Sequence, residues 1–141
     1  MRLALIVLLP FLGAILPPLM IRAGRNTCAM VTGAVSLASL ALLLSNTAAV
    51  FRGERVVAHI DWVPQLGLGL DLFVDGYGFF FAALILVIGL LIITYARWYL
   101  NRDDPVGRFY SYLLLFQGAM LGIVLSDNVL VLIVFWELTS L

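Results

Sequence analysis

Long apolar runs without a single charge leave this chain few folds to adopt. Residues 3–21 contain no charged side chain and are bracketed by Arg2 and Arg22. A membrane-spanning helix needs about 20 mostly apolar residues, whereas the apolar core of a cleaved signal peptide is about 7–15 residues long. The run therefore predicts a retained transmembrane helix. Pro10 lies inside it, so we expect a kink there and neighbouring helices that satisfy the freed carbonyl.

The composition supports the same class of protein. Hydrophobic residues make up 64% of the 141 residues and charged residues 11%, and the mean hydropathy is +1.13. A soluble domain carries about 25% charged residues. The net charge is zero, so we expect no nucleic acid as a partner. Cys28 is the single cysteine, which excludes an internal disulfide framework or a cysteine cluster for a metal.

Cutting the sequence at its charges predicts an all-α integral membrane protein with five hydrophobic segments. They cover about residues 3–21, 27–51, 76–99, 109–126 and 128–141, so that residues 1–141 form one transmembrane region. The last segment is too short to span, because a span needs about 20 residues. We therefore expect the chain to be an N-terminal fragment that stops inside its fifth helix.

The loop over 52–75 is predicted to form a short β-hairpin on the outer side of the membrane. Leucine and valine alternate with other residues from Leu68 to Val74, which is strand periodicity. The loop contacts neighbouring subunits or only caps the bundle, and its sequence does not separate the two. His59 lies in this loop without a cluster of ligand residues at metal-binding spacing, so a solvated or interfacial histidine is expected. Five arginines on the opposite side against three on this side place the N-terminus outside by the positive-inside rule.

Glu137 is the most informative single residue. It follows eight consecutive apolar residues, 129–136. At about 1.5 Å per residue, a helix that starts near Asn128 places its carboxylate about 15 Å deep, close to the middle of a bilayer core about 30 Å thick. A charged side chain there costs about 2.5–3.5 kcal/mol on insertion scales, and such residues are usually functional. The alternative is a hydrogen-bonded structural glutamate inside a helix bundle.

Other residues near the last two segments have mainly structural interpretations. Gly118 and Gly122 form a small-residue pair that favours close packing of helices, within the chain rather than in a dimer. Gln117 is expected to find a hydrogen-bond partner at membrane depth. Asp127 or Asn128 is expected to cap the following helix, with ion uptake as the alternative.

The segment Ser126-Asp127-Asn128-Val129 to Phe135-Trp136-Glu137-Leu138-Thr139-Ser140 resembles the fifth-helix signature of the antiporter-like subunit family. This family includes the A-type subunit of Mrp-type multisubunit Na+/H+ antiporters and the largest proton-pumping membrane subunit of respiratory complex I. The stretches 73–76 and 95–99 resemble the start and the end of the family's third helix. The ending Phe-Trp-Glu-Leu-Thr-Ser is more similar to the Mrp-type protein.

The resemblance implies a membrane subunit of a monovalent cation/proton antiporter, in a bacterial or archaeal cell membrane. Its partners would be other antiporter subunits, the lipid bilayer, protons and Na+, and no cofactor is implied. Glu137 matches the family's fifth-helix glutamate, which pairs with a lysine two helices later in a proton path. This chain contains no lysine, so that partner would lie beyond residue 141.

Two alternatives remain open from the sequence. The chain could be the N-terminal part of the proton-pumping antiporter-like subunit of NADH–quinone oxidoreductase, or a structural membrane subunit that transports nothing. An enzyme is not expected, because the sequence contains no serine–histidine–acid set, no phosphate-binding loop and no metal-ligand spacing.

Overall fold

The structure is a computed structural model that describes residues 2–101 and 103–140. In chain order the elements are α1 (Arg2–Gly13), α2 (Leu16–Met20), α3 (Arg25–Leu44), α4 (Thr47–Phe51), β1 (Val56–Val63), β2 (Leu68–Val74), α5 (Gly76–Tyr99), α6 (Val106–Leu125) and α7 (Val129–Thr139). Short 3-10 turns over Ile21–Ala23 and Pro64–Leu66 complete the chain path. The expected helical membrane fold with one β-hairpin is confirmed.

Four stretches within the described residues are long and apolar enough to cross a membrane. They are Arg2–Ala23, Arg25–Leu44, Gly76–Tyr99 and Val106–Leu125, and Val129–Thr139 is a shorter apolar helix. The protein is therefore a multi-pass membrane protein. The fourth helix begins at Val106 rather than at 109, so Arg108 lies in its first turn.

The first span is interrupted, but not at Pro10. Pro10 lies inside α1, and the helix ends at Gly13. The break falls just before Pro17 and Pro18. In a continuous helix their rings would clash with carbonyls four residues earlier, and here the two prolines lie in the first turn of α2 instead. Ser111 on α6 donates a 2.7 Å hydrogen bond to the Ala14 carbonyl at the break. The expected support from a neighbouring helix is thus present, displaced from the expected kink.

The second segment is also broken, which corrects the expectation of one helix over 27–51. Helix α3 ends at Leu44, and α4 starts only at Thr47. The Ser45 hydroxyl and the Asn46 amide both donate to the Leu42 carbonyl, at 2.6 and 3.1 Å. Such bonds compete with the helical backbone ladder. Division of the sequence at its charges did not separate these two helices, because the segment is uncharged throughout.

The hairpin is antiparallel, with His59 opposite Asp71 and Val56 opposite Val74. Gly67 closes the turn in the left-handed conformation, with φ 65°. The pattern is regular up to Asp61, after which the register shifts. Alternate residues of β2 face inward, so Leu72 and Val74 are fully buried. The strand periodicity of the sequence therefore reports a real buried face.

Two apolar clusters fill the bundle interior. The larger lies beneath the hairpin and joins residues of α1, α3, β2, α5, α6 and α7, among them Leu3, Leu72 and Phe135. The smaller lies at the other end and includes Cys28, Ile93 and Tyr110. At that end the Arg25 guanidinium donates a 2.5 Å hydrogen bond to the Leu100 carbonyl. The hairpin and the loops between spans therefore cap opposite ends of one bundle.

Candidate functional site

Helix α7, which carries Glu137, is fixed at its start by an N-cap. The Asn128 side chain accepts a 2.9 Å hydrogen bond from the Leu130 backbone N–H. This satisfies one of the orphan donors of the first turn. The expectation of a cap at Asp127 or Asn128 is thus confirmed for Asn128.

Asp127 does not cap α7 but connects the start of this helix to the hairpin. Its backbone N–H donates to the Asp71 carbonyl at 2.8 Å. Its carboxylate pairs with the Arg55 guanidinium, also at 2.8 Å. Arg55 lies over the Phe73 ring, 4.0 Å from the ring centroid. Strand β2 thereby acts as a template for the turn that leads into α7.

One face of α7 packs on the bundle, and Glu137 lies on another. Val131 and Phe135 are buried, at 2% and 8% exposure. A residue two positions after Phe135 is rotated by about 200° around a helix of 3.6 residues per turn. Glu137 is accordingly exposed on the outward face, next to Ile133 and Trp136.

The inward face of α7 is determined by Gly122 on α6. A Cβ atom at Gly122 would overlap the Phe135 ring. A Cβ atom at Gly118 would press against Phe11, 2.9 Å from its ring. Phe11 and Phe135 stack with ring centroids 6.3 Å apart. The glycine pair thus serves packing within the chain, as the sequence indicated.

The carboxylate of Glu137 makes no hydrogen bond and no ion pair with residues 2–101 or 103–140. Its helix neighbours on the outward face are apolar and exposed. An ionised acid on such a surface is costly in hydrocarbon unless another group meets it. Chemically, the Glu137 carboxylate is a proton-binding group that is accessible on this face of α7.

Gln117, the other polar group expected at membrane depth, is satisfied inside the bundle. Its side-chain oxygen accepts a 2.8 Å hydrogen bond from the Ser36 hydroxyl, and its Nε2 donates to the Ile85 carbonyl at 3.5 Å. Gly89 leaves room for this amide, because a Cβ atom there would overlap Nε2. These groups lie between the two apolar clusters and join α3, α5 and α6.

The hairpin contains a histidine–aspartate group that the sequence analysis missed. The imidazole of His59 contacts the carboxylate of Asp71 across the strands, and its Nε2 lies 2.8 Å from the Asp61 carboxylate. The hydrogen bond to Asp71 is the main cause that raises the pKa of His59, with a further contribution from Asp61. Only the strand register shows that Asp71 lies opposite His59.

The three side chains of this trio are partly exposed. Across the part of the chain that the structure describes, no group of three His, Cys, Asp or Glu side chains is placed to hold a metal ion. His59 is half exposed, with 56% of its side-chain surface accessible. The expectation of a solvated or interfacial histidine stays a prediction, and the structure adds two acidic partners to it.

Comparison with known proteins places these features in a family. Residues 62–110 match the family model described as NADH-ubiquinone oxidoreductase (complex I), chain 5 N-terminus. The chain is 40% identical over 139 residues to the A/B subunit of a probable K(+)/H(+) antiporter from Rhizobium meliloti. It is 39% identical over 135 residues to the A1 subunit of a Na(+)/H(+) antiporter from Staphylococcus aureus. These alignments cover 99% and 95% of the chain.

Solved structures agree with the sequence relatives. A chain of the Mrp complex from Dietzia sp. superposes with a TM-score of 0.84 at 32% identity and covers 99% of this chain. A chain of an archaeal membrane-bound sulfane sulfur reductase superposes with a TM-score of 0.82 at 22% identity, which shows a shared fold.

The chain is short beside all of these proteins. It spans 14% and 17% of the two sequence relatives, and 15% of the matched Mrp chain. The sequence relatives are named as antiporter subunits, which are transporters rather than enzymes. The chain therefore belongs, by residues 62–110, to the family of the complex I chain 5 N-terminus, and over nearly its whole length it is similar to the A-type subunits of Mrp antiporters.

Proposed function

We propose that this chain is part of a membrane subunit of a multisubunit monovalent cation/proton antiporter, and that Glu137 carries protons in it. The observation that carries the second statement is the outward direction of Glu137 on an apolar face of α7. A membrane acid that served packing would be expected to turn inward, as Gln117 does. An acid that exchanges protons needs partners that change during the cycle.

The partners in this proposal lie outside the chain. A lysine from a later helix of the parent subunit would face Glu137, as the family resemblance implies. Desolvation favours the neutral acid, and a nearby ammonium favours the carboxylate. Movement of the ammonium would therefore make Glu137 release or take up a proton.

The names of the relatives support a monovalent cation as the exchanged ion. One relative is named as part of a K(+)/H(+) antiporter, whereas the other is named as part of a Na(+)/H(+) antiporter. We propose Na+ as the cation for the parent of this chain. The matched structure from Dietzia sp. is that of an Mrp complex, which supports other antiporter subunits as partners. The long apolar helices support the lipid bilayer as a further partner.

Ion flux through the parent complex tests this function. Glu137→Gln keeps the side-chain volume but removes the titratable proton, so the complex should assemble normally and lose most cation/proton exchange. Glu137→Asp keeps the acid on a shorter stem and should retain part of the exchange. Wild-type exchange in Glu137→Gln would refute the proton role. Loss of assembly in both variants would support a structural glutamate instead.

The description of the matched family model favours a second candidate, the antiporter-like subunit of NADH–quinone oxidoreductase. The two candidates differ in energy source. An antiporter exchanges cations for protons in an imposed gradient without a redox substrate, whereas the oxidoreductase moves protons only while NADH is oxidised. Flux measured with and without NADH and quinone separates them.

We further propose that the protein lies in a bacterial or archaeal cell membrane with its N-terminus outside. The hairpin and the start of α7 share one end of the bundle, and the five-arginine side is the other. Cysteine reporters near Gly67 should react with impermeant reagents from outside, and reporters near Asp103 only from the cytoplasm. The reverse pattern would overturn this orientation.

A further inference from the structure

The inner face of α3 carries a row of small polar side chains. Cys28, Thr32, Ser36 and Ser39 are all fully buried. Residues three and four apart share a face of a helix, so this spacing forms one continuous row. The row points into the bundle, toward α5 and α6, and reaches Gln117 through Ser36. It is independent of Glu137 and of the function proposed above.

Ser39 differs from the other hydroxyls of this row. The Thr32 hydroxyl donates to the Cys28 carbonyl of its own helix at 2.8 Å. The Ser36 hydroxyl donates to Gln117, also at 2.8 Å. The Ser39 hydroxyl is buried and has no hydrogen-bond partner among residues 2–101 and 103–140.

A buried hydroxyl without a partner is unfavourable, and its cost is greatest where no bulk water can reach it. Helical serine and threonine commonly avoid this cost by donating to a carbonyl one turn earlier, as Thr94 does to Leu90 at 2.9 Å. Ser39 does not use this solution. Unpaired buried polar groups in native proteins often mark a bound water.

The position of Ser36 supplies the second anchor for such a water. Side chains at i and i+3 of a helix have Cβ atoms about 5–6 Å apart, and two hydrogen bonds of about 2.8 Å through one water cover about that distance. Ser36 uses its proton for Gln117, which leaves its oxygen lone pairs as acceptors. Ser39 has its proton to donate.

We infer that Ser36 and Ser39 bind one water molecule between them in the interior of the bundle. The water accepts a hydrogen bond from the Ser39 hydroxyl and donates one to the Ser36 oxygen. Its second hydrogen can be donated to a helix carbonyl, since each carbonyl oxygen has two lone pairs. The result is a continuous hydrogen-bonded line from Ser39 through water, Ser36 and Gln117 to the Ile85 carbonyl, which links α3, α6 and α5.

The test is water-edited solid-state NMR on the isotope-labelled protein in lipid bilayers. Magnetisation from water should reach the Cβ protons of Ser36 and Ser39 early. Thr32 serves as the internal control, because it is equally buried on the same face but donates to its own helix. Thr32 should receive at most a small fraction of the early signal.

The variant Ser39→Ala separates a bridging water from general hydration. The inference predicts that early transfer to Ser36 is lost in Ser39→Ala, while the Thr32 resonances keep their positions. Should Ser39→Ala not fold, Ser39→Cys keeps a donor at the same position, although a weaker one on a larger atom, and should weaken the transfer to Ser36. Unchanged transfer to Ser36 in the variant, equal transfer to Thr32, or no transfer to Ser39 in the native protein would each overturn the inference.

Discussion

Gln117 on α6 and Glu137 on α7 are two polar side chains, each eight residues from the end of its helix nearest the hairpin, yet they differ in burial and in hydrogen bonding. Gln117 is 3% exposed and bonded to Ser36 and Ile85. Glu137 is exposed and unpaired within the described residues. The Gln117 amide is hydrogen-bonded inside the bundle, whereas the Glu137 carboxylate lies on the outward face of α7. A polar group that holds helices together thus differs in burial and hydrogen bonding from the acid that we propose as a proton carrier.

The largest expected effect concerns the packing that turns Glu137 outward. Phe135→Ala should lower the free energy of unfolding by about 3–5 kcal/mol, because it empties the space between Gly122 and Phe11. Trp136→Ala is the matched control, since Trp136 is 59% exposed on another face of the same helix. Unfolding in mixed detergent micelles measures both. Equal losses would show that α7 has no preferred inward face.

A smaller effect is expected at the internal amide. Gly89→Ala should cost about 1–3 kcal/mol, because the new methyl overlaps the Gln117 amide and breaks its contacts with α3 and α5. Gly33→Ala is the control, with no atom near its Cβ position, and should be neutral or gain up to about 1 kcal/mol. A neutral Gly89→Ala would mean that Gln117 does not bind the helices together.

The smallest effect is expected in the hairpin, where His59 is paired with acids. The pKa of His59 is raised in the folded protein, mainly by the hydrogen bond to Asp71. The contribution of the imidazolium is therefore full below the unfolded pKa, about 6.5, and is lost as pH rises through the higher folded value. Thermal unfolding of the native protein and of His59→Gln against pH measures it. An advantage of the native protein that grew with rising pH would contradict the pairing.

Some parts of the fold could be predicted because their signals are local. The alternation from Leu68 to Val74 predicted a strand, and the structure has that strand with Leu72 and Val74 buried. The resemblance of residues 73–76 indicated the start of α5, where the Asp75 carboxylate accepts a 2.8 Å hydrogen bond from the Gly78 N–H. The break after Leu44 was not predicted, because residues 45–47 are polar but uncharged and the hydrogen bonds of Ser45 and Asn46 to the Leu42 carbonyl are seen only in the structure.

The candidate site shows the same limit. The expected depth of Glu137 follows from its position in the last apolar run. The side of the helix on which it lies does not follow, because apolar residues of α7 occupy every face of the helix. The orientation of α7 depends on where the Phe135 ring can pack, and the missing side chain of Gly122 on α6 leaves room for that ring. The two acids beside His59 depend on strand register in the same way. The role of Glu137 in a proton path stays a prediction.

The most direct test of the different roles of Glu137 and Gln117 is infrared difference spectroscopy of the parent complex during a pH jump. A carboxyl C=O stretching band should appear or disappear as the acid takes up or releases its proton. The account predicts that Glu137→Gln abolishes one such band while assembly is normal, and that Gln117→Leu retains the band despite lower stability. A full set of carboxyl bands in Glu137→Gln would contradict the account, because Glu137 would then not titrate.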